Sequence, residues 1–234
     1  MQKERKRRKR YIVVIIFILS ISGVLVMLYP YLNQISYQIK AQNTNNLFTK
    51  RMGQHTTAEL DDLYTQMLQY NRTLFETGQG KLVDAFSFEQ PDFSLRDFGF
   101  QEEMIGFITI PRMNIELPIY LGASQDNLKR GAAHLTQTSL PIGGINSNAV
   151  IAAHRGMAKA EMFRHIDKLK LGDQISITNY RETLLYEVTE IEIIQPEEID
   201  KILIQPGRDM VTLVTCNPYG FNYERYLVYA QRIE

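Results

Sequence analysis

Apolar and polar positions alternate with three different periods along this chain. Residues 11 to 32, "YIVVIIFILSISGVLVMLYPYL", carry no charge and run for about the 20 residues that cross a bilayer as a helix. That run is too long for the apolar part of a cleaved leader, and "YPYLNQ" after it offers no small-residue cleavage site. From 33 to 80 the chain turns polar and helix-leaning, and Leu60, Leu63, Tyr64, Met67, Leu68, Leu74 and Phe75 recur close to one helical face. Thr57 onward reads as the helix start, and Gly78 with Gly80 as its stop. The stretch after it, "KLVDAFSFEQPDFSLRDFGF", has no period and reads as a long irregular loop, of the kind that forms lids or binding loops.

Past residue 104 the period shortens to two. "IGFITIP", "IELPIYL", "SNAVIAAH", "DQISIT", "LLYEVTEIEII", "MVTLVTC" and "RYLVYAQRI" are short runs rich in β-branched and aromatic residues, separated by turn residues. Brief helical pieces are expected near "SQDNLKRGA" and "AEMFRHIDKL". About eight strands without regular βα alternation predict a mainly β fold, a closed or nearly closed antiparallel-rich barrel. The domain plan is a basic tail over 1–10, an anchor over 11–32, a helical and loop region over 33–103 and a barrel over 104–234.

Charge sharpens this plan. The chain holds 26 Lys and Arg against 26 Asp and Glu. Lys3, Arg5, Lys6, Arg7, Arg8, Lys9 and Arg10 all precede the apolar run, so the remainder is net acidic, which argues against a nucleic-acid partner. The same basic flank predicts a cytoplasmic N-terminus and an extracellular main domain. With the chain stopping at "AQRIE", directly after the last strand, a single pass is expected.

The only cysteine, Cys216, stands at the C-terminal end of "MVTLVTC". It has no partner for an internal disulfide. An unpaired cysteine is commonly a small buried hydrophobe, and the alternative is a nucleophile. Arg225 opens the last strand across the loop "NPYGFNYE", so a strand pair would set it beside Cys216, where it favours a thiolate or an oxyanion. A cysteine nucleophile needs a proton carrier, for which histidine is suited near neutral pH. His154 ends "NAVIAAH" at a strand-to-loop junction, and His134 in "GAAHLTQTSLPIGG" stays open as a second candidate. His55 lies in the polar stalk, and His165 on a short amphipathic helix suits a surface or core role.

"TLVTCNPYGFNYERYLV" resembles the signature of sortases, membrane-anchored cysteine transpeptidases of Gram-positive bacteria, in which "TLxTC" precedes a loop and an arginine. "TSLPIGGINSNAVIAAHRGMAKAEMFRHIDKLKLGD" is similar to the family's central segment, with His154 at the place of its catalytic histidine. "CNPYG" followed by Arg225 resembles the signature of the pilin-polymerising class C sortases. The resemblance implies that Cys216, His154 and Arg225 are catalytic. It also implies a lid in which Asp84 meets Arg225 and Phe86 covers the cysteine, with Ala85 in place of the lid's proline. Proline fixes φ and restricts its predecessor and alanine does neither, so this lid is expected to open more readily. The substrates implied are LPXTG-like surface or pilin proteins, cleaved between Thr and Gly. The acceptor is a pilin lysine in a pilus assembler, or a peptidoglycan precursor amine in a housekeeping sortase, to whose single-pass topology this chain is similar. A plain cysteine hydrolase and an inert peptide-binding barrel are the remaining alternatives. No cofactor and no metal are expected.

Overall fold

The computed structural model describes residues 2–80, 82–84, 86, 92–157 and 159–233, with side chains from residue 7 onward. Helix α1, Gln2–Met52, is continuous through the charge-free run. That run is lined by exposed apolar side chains and is long enough to cross a membrane. Helix α2, Thr57–Thr77, begins at a capping box in which the Thr56 hydroxyl accepts from Glu59 N and the Glu59 carboxylate accepts from Thr56 N. Gly78, at φ 75°, ends it. Its apolar stripe is buried at Leu63, Met67 and Leu74. Asn71 fixes its docking, since its side-chain amide donates to Leu140 O at 3.1 Å and accepts from Leu140 N at 2.7 Å.

Eight strands close the barrel. They are β1 Met104–Ile110, β2 Ile115–Leu121, β3 Ala132–His134, β4 Ser147–Ala152, β5 Gln174–Asn179, β6 Thr183–Ile194, β7 Asp209–Asn217 and β8 Glu224–Arg232. The order around the barrel is β1-β2-β3-β4-β7-β8-β6-β5. All neighbours are antiparallel except β2 with β3 and β4 with β7. Alternate positions of the strands point inward, and Ile108, Ile119, Ile151, Ile177, Leu213 and Val228 form the centre of the core. Gly106 is demanded by closure: a Cβ there would lie 2.3 Å from Thr178 O on the neighbouring strand β5.

The barrel is the fold class expected, with two local corrections. Strand β3 is three residues long, enters by the short helix α3 Gln125–Arg130 and pairs parallel to β2, so it shows no run of its own in the sequence. "AEMFRHIDKL" forms only a one-turn 3₁₀ segment, Ile166–Lys168, preceded by turns, and His165 is its N-cap rather than a residue on an amphipathic helix. Phe163 and Ile166 are buried there, but the segment is too short to sustain an i→i+4 ladder. The long loop after α2 also carries a 3₁₀ turn, Leu95–Phe98.

The parallel β4–β7 pairing brings two strand exits to the same end of the barrel. Ala152 lies opposite Val214, so the residues after both strands emerge at one rim. Antiparallel β8 begins at that rim too, with Arg225 opposite Cys216.

Candidate active site

Cys216 and Arg225 are cross-strand neighbours, and in such pairs the side chains project to the same face. His154 follows β4 by two residues. Its backbone is held in place because Ala153 N donates to Val214 O at 3.2 Å and the Thr215 hydroxyl donates to Ala153 O at 2.7 Å. Thr215 therefore has a physical reason to precede Cys216: it ties the β4 exit to the β7 exit. His154 and Cys216 are half-buried, and Arg225 is buried.

Asp84 reaches this rim from the loop after α2. Its carboxylate accepts from Arg225 Nε at 2.6 Å and Nη2 at 2.8 Å, a bidentate fork. Arg225 Nη1 donates to Asn222 O at 3.0 Å and to Glu224 O at 2.9 Å. Phe86 N donates back to the Asp84 carboxylate at 3.2 Å, which turns the chain so that the Phe86 ring lies 6.3 Å from the His154 ring and 5.1 Å from the Arg225 guanidinium carbon. Ala85, the residue at the lid's proline position, lies outside the described residues.

Electrostatics follow from this cover. Burial pushes the Cys216 thiol up; Arg225 and Arg155 oppose that, while the Asp84 carboxylate adds to it. Burial, with Lys129 next, pushes His154 down. With Asp84 in place the pair is therefore held as neutral thiol and neutral imidazole. Withdrawal of Asp84 admits water and removes a negative charge, and both changes favour the thiolate.

One contributor was not singled out by the sequence. Arg155 donates to Asn217 Oδ1 and, at 3.5 Å, to Cys216 O, and its guanidinium lies 5.0 Å from the centre of the Tyr226 ring. It clamps the start of the β7–β8 loop, where the Asn217–Pro218 peptide is cis. "AAHRG" is its only trace in the sequence, read there for the histidine alone.

The other histidines are accounted for differently. His55 stacks on Phe100 at 4.5 Å between α1 and α2, and His165 lies 3.9 Å from Glu161. His134, the second candidate, is fully enclosed on β3. Its Nε2 sits 3.0 Å from Ser139 O and 3.2 Å from Thr138 O, so it donates to the backbone of the following turn. Burial lowers its pKa to about 4, with both carbonyls opposing. Because the folded value is below the unfolded one, near 6.5, the unfolded chain binds this proton more tightly. Its contribution is complete above about pH 6.5 and is lost as pH falls towards 4, by roughly 3 kcal/mol at the end. Thermal unfolding of the full chain in neutral detergent between pH 7 and 4 is expected to show that fall, and His134→Gln to flatten it.

A closed barrel with one thiol at a strand end beside an arginine is the architecture of a cysteine transpeptidase. The sortase domain family matches residues 108–233. Sortase A of Bacillus anthracis is 30% identical over 156 residues, which are 66% of this chain and 72% of that protein. Sortase D of Bacillus subtilis is 28% identical over 131 residues, 55% of this chain and 63% of its own length. Among solved structures, Sortase C of Streptococcus pneumoniae is 35% identical with a TM-score of 0.74, covering 82% of this chain and 97% of that one. Sortase C from Clostridium perfringens is 37% identical with a TM-score of 0.69, covering 82% and 99%. This chain belongs to the sortase family, and its structural neighbours are class C sortases.

Proposed function

We propose that this chain is a pilin-polymerising sortase, anchored by α1 with its N-terminus cytoplasmic and its barrel outside. The reading rests on one observation above the others: Asp84 occupies the donor fork of Arg225 while Phe86 packs against both Arg225 and His154. A site that opens only when a protein substrate displaces this cover is protected from water and from small amines. The likeness to Sortase C of Streptococcus pneumoniae, whose description concerns pilin substrate specificity, supports the same subclass. The basic flank of the apolar run supports the orientation.

In this mechanism Cys216, once uncovered, gives its thiol proton to His154, and the resulting thiolate attacks the Thr carbonyl carbon of the Thr–Gly bond. The carbonyl pair moves onto oxygen, and Arg225, freed from Asp84, donates to that oxyanion. Collapse expels the glycine amine, which takes a proton from His154, leaving a thioester between Cys216 and threonine. An incoming pilin lysine amine gives its proton to His154 and attacks the thioester. Collapse then forms the isopeptide bond and returns the Cys216 sulfur. The Arg155 clamp on Cys216 O and Asn217 keeps the sulfur at the rim throughout.

Asp84→Ala combined with Phe86→Ala is expected to raise the rate of LPXTG peptide cleavage severalfold, chiefly through kcat/KM, because the free arginine no longer has to be released. Covalent pilin multimers formed by the wild type support the pilin reading. Cleavage with transfer only to a peptidoglycan-type amine, unaffected by the Asp84 and Phe86 changes, would assign the housekeeping reaction instead.

A further inference from the structure

A cavity of about 420 Å³ lies between α1, just beyond its charge-free run, and the barrel. Lys40 on α1, Lys129 and Arg130 on α3, and Lys159 in the loop after His154 all line it. Its lining among the described residues includes no Asp or Glu. Two of the four cations have acidic partners outside the cavity, Lys129 with Asp126 at 3.3 Å and Arg130 with Glu102 at 3.2 Å. The Lys129 pair is exposed at both ends, so it neutralises little. Lys40 and Lys159 make no ion pair with any described residue. Asn33 Nδ2, on the cavity lining, is buried without a hydrogen-bond acceptor among the described residues. The cavity thus gathers positive charge and one unused buried donor, a set that an anion with several oxygens would satisfy.

Its height on α1 decides which anion. Asn33 is the first residue after the apolar run, and the barrel is docked at that level, because Glu161 N donates to Gln34 Oε1 at 2.9 Å. Lys40 is seven residues farther, about 10 Å along the helix axis. A bilayer's headgroup layer occupies about 5–8 Å beyond each edge of its hydrocarbon core. The cavity, lined by Asn33 at the edge of the run and by Lys40 about 10 Å beyond it, therefore brackets the headgroup layer, and the cations that line it are attracted by an anionic surface.

We propose that this cavity binds the phosphate headgroup of an anionic phospholipid, seating the barrel on the membrane that α1 enters. The proposal rests on the reading of α1 as a membrane anchor. Lys40 and Lys159 hold the phosphate oxygens from opposite walls, Asn33 Nδ2 donates a third contact, and Lys129 and Arg130 supply the surrounding field. Because Lys159 lies in the loop that follows His154, an occupied cavity also fixes that loop relative to the site.

The test uses the full chain in neutral detergent micelles doped with either phosphatidylglycerol or phosphatidylcholine, with lipid binding followed by native mass spectrometry. The wild type is expected to bind phosphatidylglycerol about tenfold more tightly than phosphatidylcholine. Lys40→Gln with Lys159→Gln is expected to erase most of that preference, whereas Arg96→Gln with Arg208→Gln, two charges removed elsewhere on the surface, leaves it intact. Equal binding of the two lipids, or a preference lost equally in both double variants, overturns the site. Displacement of phosphatidylglycerol by inorganic phosphate at comparable concentration would make the ligand a free phosphate and overturn the lipid assignment. Carbonate extraction separates the two readings: wild-type chain released from membranes removes the anchor and the lipid site together, and retained chain without headgroup preference removes the site alone.

Discussion

Cys216→Ala is expected to lower acyl transfer by about four orders of magnitude or more while leaving the melting temperature nearly unchanged. The size of the loss follows from the proposed mechanism, in which no other group forms the covalent intermediate. The small structural cost follows from the location. Cys216 is at the half-buried rim of β7, not in the packed interior, and the alanine keeps the β7–β8 hydrogen bonds that align Arg225 with it. Comparing peptide cleavage with thermal unfolding separates the two effects. Had the cysteine been only a small core hydrophobe, the variant would have kept its activity.

Arg225→Lys is the second large effect, expected at about 10²- to 10³-fold in kcat/KM. Lysine keeps the charge but loses the fork by which Arg225 grips Asp84 through Nε and Nη2 and braces itself on Asn222 O and Glu224 O through Nη1. Two consequences of the change act in opposite directions: a weaker hold on the lid favours opening, and a poorer oxyanion donor slows the chemistry. Introducing Arg225→Lys into the Asp84→Ala, Phe86→Ala background isolates the second. There the full loss of about 10²- to 10³-fold should remain, measured against the lid variant. No loss in that background, together with a gain of activity for Arg225→Lys alone, would mean that Arg225 serves only to hold the lid.

The barrel was readable because its strands alternate inward and outward with period two, which makes "IELPIYL" or "MVTLVTC" recognisable without neighbours. Strand β3 was not, since "AAH" is too short to carry a period and owes its place to α3 and to pairing with β2. Cys216 and Arg225 could be brought together on paper because one antiparallel pair joins them. His154 needed the parallel β4–β7 register, which nothing local encodes, so position alone left His134 open; the sortase resemblance favoured His154, and the fold supplies the physical reason, since the His134 ring nitrogen is committed to the carbonyls of Thr138 and Ser139. Arg155 was hidden for the same reason: its partners Cys216 and Asn217 lie more than 60 residues away and meet it only once both strands end at one rim. The contact of α1 with the barrel was equally invisible. It combines polar contacts, Gln34 with Glu161 N and Asn45 with Glu116, with buried Ala41 and Phe48, the latter packed against Met104, Phe107 and Tyr120, in a stretch whose many polar residues hide that face.

Placement of Asp84 and Phe86 came from a motif, and their geometry came from the fold. A carboxylate 141 positions upstream of an arginine has no reason to meet it unless the loop after α2 crosses the rim. That crossing also explains why Cys216, the only thiol in a chain expected outside the cell, tolerates its position. Burial first, and the Asp84 carboxylate with it, push its thiol pKa up, and the proposed opening of the lid relieves both.

The most direct measurement is the intact mass of the Asp84→Ala, Phe86→Ala chain after brief exposure to an LPXTG peptide without an acceptor amine, with peptide mapping of the product. The expected result is an added mass equal to the peptide through its threonine, located on Cys216 and discharged when a lysine amine is supplied. Cleavage of the peptide with no adduct on Cys216, or an adduct that amines do not discharge, would contradict the account.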